Sequence, residues 1–200
     1  KNLGVDLGIA KQAYDLSGGS VEKAGKIINN MLLDMVHRGP DESGVFEDQN
    51  VSLGMNRLAI TGVNDYGYVP FRYKNLTLVF NGEIYNYKEL KKLLINKHNI
   101  SFATNTDSEV LIKLWSIFET KALQMIEGMY AFSIYNSKTN LIYLIRDIAG
   151  QKPLYYFKYG KRIVFASEAK AIFKNVKNIS LVDKSKLRFY EAFQHTLNNT

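Results

Sequence analysis

The 200-residue chain contains no cysteine. That excludes a disulfide framework and any thiolate metal site, and it fits a cytoplasmic setting. Long apolar runs are missing as well, since no window approaches the ~18 uninterrupted apolar residues that a membrane span requires. The first residues lack the basic, apolar and small-residue succession of a secretory signal. There is no internal repeat, no low-complexity tract and no dense basic block. The net charge is +7, but lysines such as Lys88, Lys91, Lys97, Lys113, Lys152 and Lys158 are spread along the chain. They do not alternate with stacking aromatics, so solvated lysine is favoured over a nucleic-acid surface.

What is present suits one substantial soluble domain. Hydrophobic residues make up 46% and charged residues 22% of the chain, and a chain of this length buries roughly 70% of its unfolded surface. One domain is expected over residues 1–185, with 186–200 a linker or the start of a further domain. Residues 8–14 read as a strand, ended by Ser17-Gly18-Gly19. A helix follows, with Ser20 as its N-cap and Ile27, Ile28, Met31, Leu32 and Met35 on one face. His37-Arg38-Gly39-Pro40 stops it, because proline disfavours helix at the residue before it.

Strands are expected over 51–55, 58–61 and 76–80, with Asn81-Gly82 interrupting the last apolar run before Ile84. A helix is expected over 87–96 and another from Thr106, where Thr106 and Glu109 have the spacing of a capping box. Val110, Leu111, Leu114, Trp115 and Phe118 form the inner face of the second. Segments 129–135 and 141–145 read as one hairpin and 154–157 and 162–166 as another. A helix over 168–173 closes the patterned part. Hairpins of short strands with segregated helices indicate an α+β fold with sheet packed on sheet. Periodicity alone does not distinguish four layers from two.

Candidate chemistry lies in a few short strings. The most specific are His37-Arg38-Gly39-Pro40-Asp41, followed by Ser43-Gly44, and Asn81-Gly82-Glu83-Ile84-Tyr85-Asn86. Taken alone, Asn81-Gly82 is a favoured hairpin loop. Arg57 is a structural arginine at a strand end as readily as a carboxylate ligand. Asp107, at a helix N-terminus, is stabilised by the helix dipole whatever its function. His37 reads as support for the site rather than as a base, and His98 and His195 have no partners at ligand spacing.

Further strings follow in order: Gly128-Met129-Tyr130-Ala131-Phe132, Arg146-Asp147, Gly150-Gln151-Lys152-Pro153-Leu154-Tyr155-Tyr156 and Ala166-Ser167-Glu168. Together, over about residues 7–185, the set resembles the N-terminal class II glutamine amidotransferase domain of glutamine-hydrolysing asparagine synthetase. That resemblance implies the four-layer α/β/β/α sandwich of N-terminal-nucleophile hydrolases. It implies an oxyanion hole made by the Asn81 side-chain amide and the Gly82 N–H. Arg57 would pair with the α-carboxylate of glutamine, backbone groups of Ile60 and Thr61 would line the site, and Glu83 and Asp107 would receive the α-ammonium. No metal or cofactor is implied for this domain. The implied partners are L-glutamine, a second copy in a homodimer, and a C-terminal synthetase domain that amidates aspartate with ATP and magnesium.

One position departs from the family. Aligned on Gly8-Ile9-Ala10, the cysteine nucleophile is replaced by Leu7, and Lys11 stands where the family usually has glycine. The residues ahead of Leu7 would also turn the α-amine, which the family uses as its base, into a peptide amide. Leucine forms no acyl intermediate, so glutaminase activity is expected to be impaired. Three readings follow: a glutamine-binding domain that no longer hydrolyses, a working glutaminase whose start is altered, or a non-enzymatic structural or dimerisation module.

Overall fold

The computed structural model describes residues 9–11, 21–58, 69–159 and 162–176. In chain order these form β1 (Ile9–Lys11), α1 (Val21–Asp34), β2 (Glu42–Glu47), β3 (Ser52–Arg57), β4 (Phe71–Tyr73), β5 (Leu76–Ile84), α2 (Tyr87–His98), α3 (Asp107–Phe118), β6 (Gly128–Asn136), β7 (Leu141–Arg146), β8 (Tyr155–Tyr159), β9 (Arg162–Ala166) and α4 (Ala169–Asn175). The strands β1-β7-β6-β5-β4 make one antiparallel sheet, and β2-β3 and β8-β9 make two hairpins.

Side-chain alternation along β5 sets the layers. Leu78, Phe80 and Ile84 join Leu90 and Leu94 of α2 and Val110, Leu111, Leu114 and Trp115 of α3 in the largest core cluster. Val79 also reaches the opposite face, where Tyr135 of β6 and Ile142 of β7 pack on Val51, Leu53 and Phe46 of the first hairpin and Phe165 of the second. Outside the hairpins, Met31 of α1 packs with Val164 and Ala166 of β9 and Ala171 and Ile172 of α4. The order is helix, sheet, sheet, helix. Leu78, Leu94 and Leu114 are fully buried, and truncating any of them to alanine would cost about 2–5 kcal/mol.

Most expected elements are present with boundaries moved by a few residues. The inner faces of α1 and α3 are the expected ones. Proline-bearing His37-Arg38-Gly39-Pro40 follows the end of α1 through a 3-10 turn at Val36–Arg38. Thr106 caps α3 by accepting from the Glu109 N–H at 3.3 Å. The reciprocal half of the capping box differs: the Glu109 carboxylate accepts from the N–H groups of Ala103 and Thr104 at 2.9 and 2.7 Å.

Two expectations are corrected, and one strand is added. Asn81-Gly82 does not interrupt a strand, because β5 runs nine residues through it, with Asn81 opposite Ala131 and Gly82 opposite Tyr130 on β6. Pairing on β6 overrides the turn preference of the dipeptide. Residues 42–47, which carry no strongly apolar pattern, form β2. Leu58 lies beyond the strand that Arg57 ends, and the rest of the expected strand over 58–61 is outside the described residues, as are Ser20, Gly160, His195 and everything from residue 177 onward.

Candidate functional site

Arg57 is the last residue of β3, held opposite Glu42 by the β2–β3 register. The turn sets that register. Asp48 Oδ1 accepts from the N–H groups of Asn50 and Val51 at 2.7 and 3.0 Å, an Asx-type turn. Arg57 is only 6% exposed, and its Nη1 donates to Glu42 Oε2 at 3.2 Å. Gly39 presses on the same place. A Cβ on Gly39 would sit 2.6 Å from the backbone N of Arg57, and the Asp41 N–H donates to Arg57 O at 3.1 Å. The His37–Asp41 string thus braces the backbone that carries Arg57.

Asn81, Gly82 and Glu83 come from the part of β5 beyond the end of β4. In an antiparallel ladder, the N–H groups of alternate residues face the same edge. The Ile84 N–H faces away from β6 and donates to Asp107 Oδ2 at 3.0 Å, so the Gly82 N–H turns to that same edge. Gly82 has φ +153°, and a Cβ there would collide with the Met129 carbonyl. The Asn81 side chain points between the sheets, where its Nδ2 is buried without a hydrogen-bond partner.

Asp107 opens α3 and is 4% exposed. Besides Ile84, its carboxylate accepts from the Ser108 N–H at 2.9 Å. Burial raises its pKa from the ordinary 3.8, the N–H groups of Ile84 and Ser108 oppose the rise, and the nearby charge of Glu83 adds to it. A cation near Asp107 and Glu83 would relieve that penalty.

Arg57, Asn81, Gly82, Glu83 and Asp107 all line one cavity of about 490 Å³. Its lining includes one guanidinium, of Arg57, two carboxyls, of Glu83 and Asp107, and the neutral donors of Asn81 and Gly82. That arrangement suits a zwitterionic amino acid whose side chain ends in a hydrogen-bonding group. Leu7, Ile60 and Thr61 lie outside the described residues. The cavity is also lined by residues not anticipated from sequence, notably Ser133 and Lys152. Glu42, the partner of Arg57, was missed too, although counting outward from the Asp48 turn pairs 47 with 52 and 42 with 57.

The remaining strings brace the layers, and some of their residues, such as His37, Lys152 and Ser167, also line the cavity. His37 Nε2 and Arg38 Nη1 reach Glu168 Oε1 at 2.7 and 3.3 Å, joining the 3-10 turn to the start of α4. The Asp147 carboxylate accepts from the N–H groups of Tyr130, Gln151 and Lys152 at 3.2, 2.9 and 3.1 Å. Arg146 donates to the carbonyls of Gly150 and Lys152. Among the described residues, no group of three or more His, Asp or Glu side chains is arranged to hold a metal ion, and no helix is long and apolar enough to cross a membrane.

Comparison with known proteins places the chain in a family. A family described as glutamine amidotransferase domain matches residues 13–200. Glutamine-hydrolyzing asparagine synthetase 1 of Bacillus subtilis is 39% identical over 171 residues, covering 84% of this chain and 27% of that protein. Putative glutamine-hydrolyzing asparagine synthetase 2 of Methanocaldococcus jannaschii is 34% identical over 187 residues, covering 82% of this chain and 36% of that protein. The chain therefore spans about a third of the length of these relatives. Among solved structures, the glutamine phosphoribosylpyrophosphate amidotransferase of B. subtilis, complexed with ADP and GMP, aligns with a TM-score of 0.62 at 27% identity. It covers 76% of this chain and 40% of that one. The four layers are those of the N-terminal-nucleophile hydrolase fold. With a family match over nearly its whole length and asparagine synthetases among its relatives, the chain belongs to the glutamine amidotransferase domain family.

Proposed function

We propose that this chain is the glutamine-binding, glutaminase-type domain of an asparagine synthetase-like protein, and that the 200-residue sequence binds glutamine without hydrolysing it efficiently. The observation that carries the reading is the convergence of Arg57, Asn81, Gly82, Glu83 and Asp107, from three separate stretches of chain, on one cavity. Arg57 takes the α-carboxylate, and Asp107 and Glu83 take the α-ammonium. Asn81 Nδ2 and the Gly82 N–H hold the side-chain carbonyl oxygen, and the family resemblance assigns backbone groups of Ile60 and Thr61 to the same site.

Neutral donors aimed at a developing oxyanion are worth about 3–4 kcal/mol each to the transition state. They have no oxyanion to stabilise unless a nucleophile adds to the carbonyl. Leu7, at the position aligned with the family cysteine, has no lone pair to add, so covalent catalysis and its factor of ~100 or more from general base help are lost together. A variant chain beginning at residue 7 and carrying Leu7→Cys tests this directly. It should release ammonia from L-glutamine at a rate the parent does not approach, and should lose that gain when Asn81→Ala is added. If the cysteine variant folds and binds glutamine yet releases no ammonia, the assignment of the site is wrong.

ATP- and magnesium-dependent amidation of aspartate would require a synthetase domain outside these 200 residues. Among the described residues, the cavity lining has neither a cluster of three carboxylates for magnesium nor a glycine-rich phosphate loop. The alternative reading, a structural or dimerisation module, is favoured by one observation. Leu33 and Val36, on and just after α1, and Phe173 of α4 are exposed apolar side chains of the outer helical layer. Such a layer suits burial against a fused domain or a second copy. It predicts a concentration-dependent dimer in sedimentation that Leu33→Glu abolishes.

A further inference from the structure

We propose that Ser133 is a further binding residue of the cavity, contacting the carboxamide end of bound glutamine alongside Asn81 and Gly82. The proposal rests on the glutamine reading given above. Ser133 is 0% exposed, and its Oγ has no hydrogen-bond partner within the protein. A hydroxyl in that state carries its full desolvation penalty and is rare in folded proteins. Ser133 stands behind the same cavity that Asn81 lines, so a small shift of its neighbours would bring the hydroxyl to that space. The other buried side-chain atom without a partner, among the described residues, is Asn81 Nδ2. Two orphaned polar atoms on one cavity wall point to a ligand group that satisfies both.

The sheet register fixes their relation. Val79 pairs with Ser133 and Asn81 with Ala131, so Asn81 and Ser133 are diagonal cross-strand neighbours on the same face. Such neighbours stand ~7–8 Å apart, a gap that one planar group can bridge with a hydrogen bond on each side. That face also carries Tyr135, packed on Leu53 of the first hairpin, so the gap opens between the two sheet layers.

The hydrogen-bonding capacities match a primary carboxamide. Asn81 Nδ2 and the Gly82 N–H only donate, and both suit the amide oxygen. A serine hydroxyl donates and accepts, so Ser133 Oγ receives a hydrogen from the amide nitrogen. An alkyl end group would leave Asn81 and Ser133 unsatisfied.

The test is Ser133→Ala in the full 200-residue chain, titrated calorimetrically with L-glutamine and, by competition, with L-norvaline, which has the same α-groups and no amide. The expected result is about three- to tenfold weaker binding of L-glutamine, the loss of one net hydrogen bond. Binding of L-norvaline should not change, and the ligand-free melting temperature should stay level or rise because the orphaned hydroxyl is gone. Unchanged affinity for L-glutamine overturns the role of Ser133 while leaving the glutamine site standing. Equal weakening of both ligands also overturns it, since that marks a general distortion. If the parent chain binds no L-glutamine, both the site and this role for Ser133 fail.

Discussion

Asp107 and Arg57 are ionisable side chains removed from solvent in the lining of one cavity, and their surroundings differ. Arg57 is met by Glu42, whereas Asp107 has neutral N–H groups around it and an adjacent like charge. Because burial raises the Asp107 pKa above 3.8, the unliganded carboxyl keeps its proton to higher pH than an ordinary aspartate. An α-ammonium binds the ionised form, so affinity should rise with pH through that raised value and then level off. Binding within the window should release protons, measurable by calorimetry in buffers of different ionisation enthalpy. Asp107→Asn should abolish the proton release and weaken binding about tenfold or more. At this scale the family resemblance singled out Arg57, Asn81 and Asp107, which the structure brings to one cavity. Glu42 and Ser133 were not legible, because their relevance depends on cross-strand register and burial, which short strings do not encode.

Among the elements, β5 departs furthest from local preference. A dipeptide that favours a tight turn is drawn into a nine-residue strand by β6, and the unusual φ at Gly82 is the local consequence. Gly82→Ala should therefore destabilise the fold by about 1–3 kcal/mol through strain and collision with β6, read as a lower denaturant midpoint. The 3-10 turn after α1 and the start of α4 are clamped at Glu168. Lys170 above all, with His37 and Arg38, lowers the Glu168 pKa from 4.5 to about 2.

The folded value is depressed, so this stabilisation is fully present above pH ~4.5 and lost as pH falls toward 2. Glu168→Gln should be less stable than the parent at pH 7, and the difference should shrink over that acid range in thermal melts. The helices were the most legible elements, since their 3.6-residue apolar spacing survives in the packed faces of α1, α2 and α3. β2 was not, because its alternation of exposed and half-buried side chains gives little apolar signal.

At the scale of the whole molecule, two hairpins over one five-stranded sheet leave a gap between layers, and the cavity occupies it. Layer count could not be read from periodicity, because a strand facing a helix and a strand facing another sheet bury the same kind of residue. It came from resemblance and is borne out by the packing clusters on both faces of β5, β6 and β7. The function proposed for this gap is to bind an amino acid, with Leu7 at the position aligned with the family nucleophile. Calorimetric titration of the chain with L-glutamine, with Arg57→Ala as the control, tests it most directly. The account predicts saturable binding to the parent and a loss of at least tenfold in the Arg57→Ala variant. A folded parent with no detectable binding, or binding indifferent to Arg57, would contradict it.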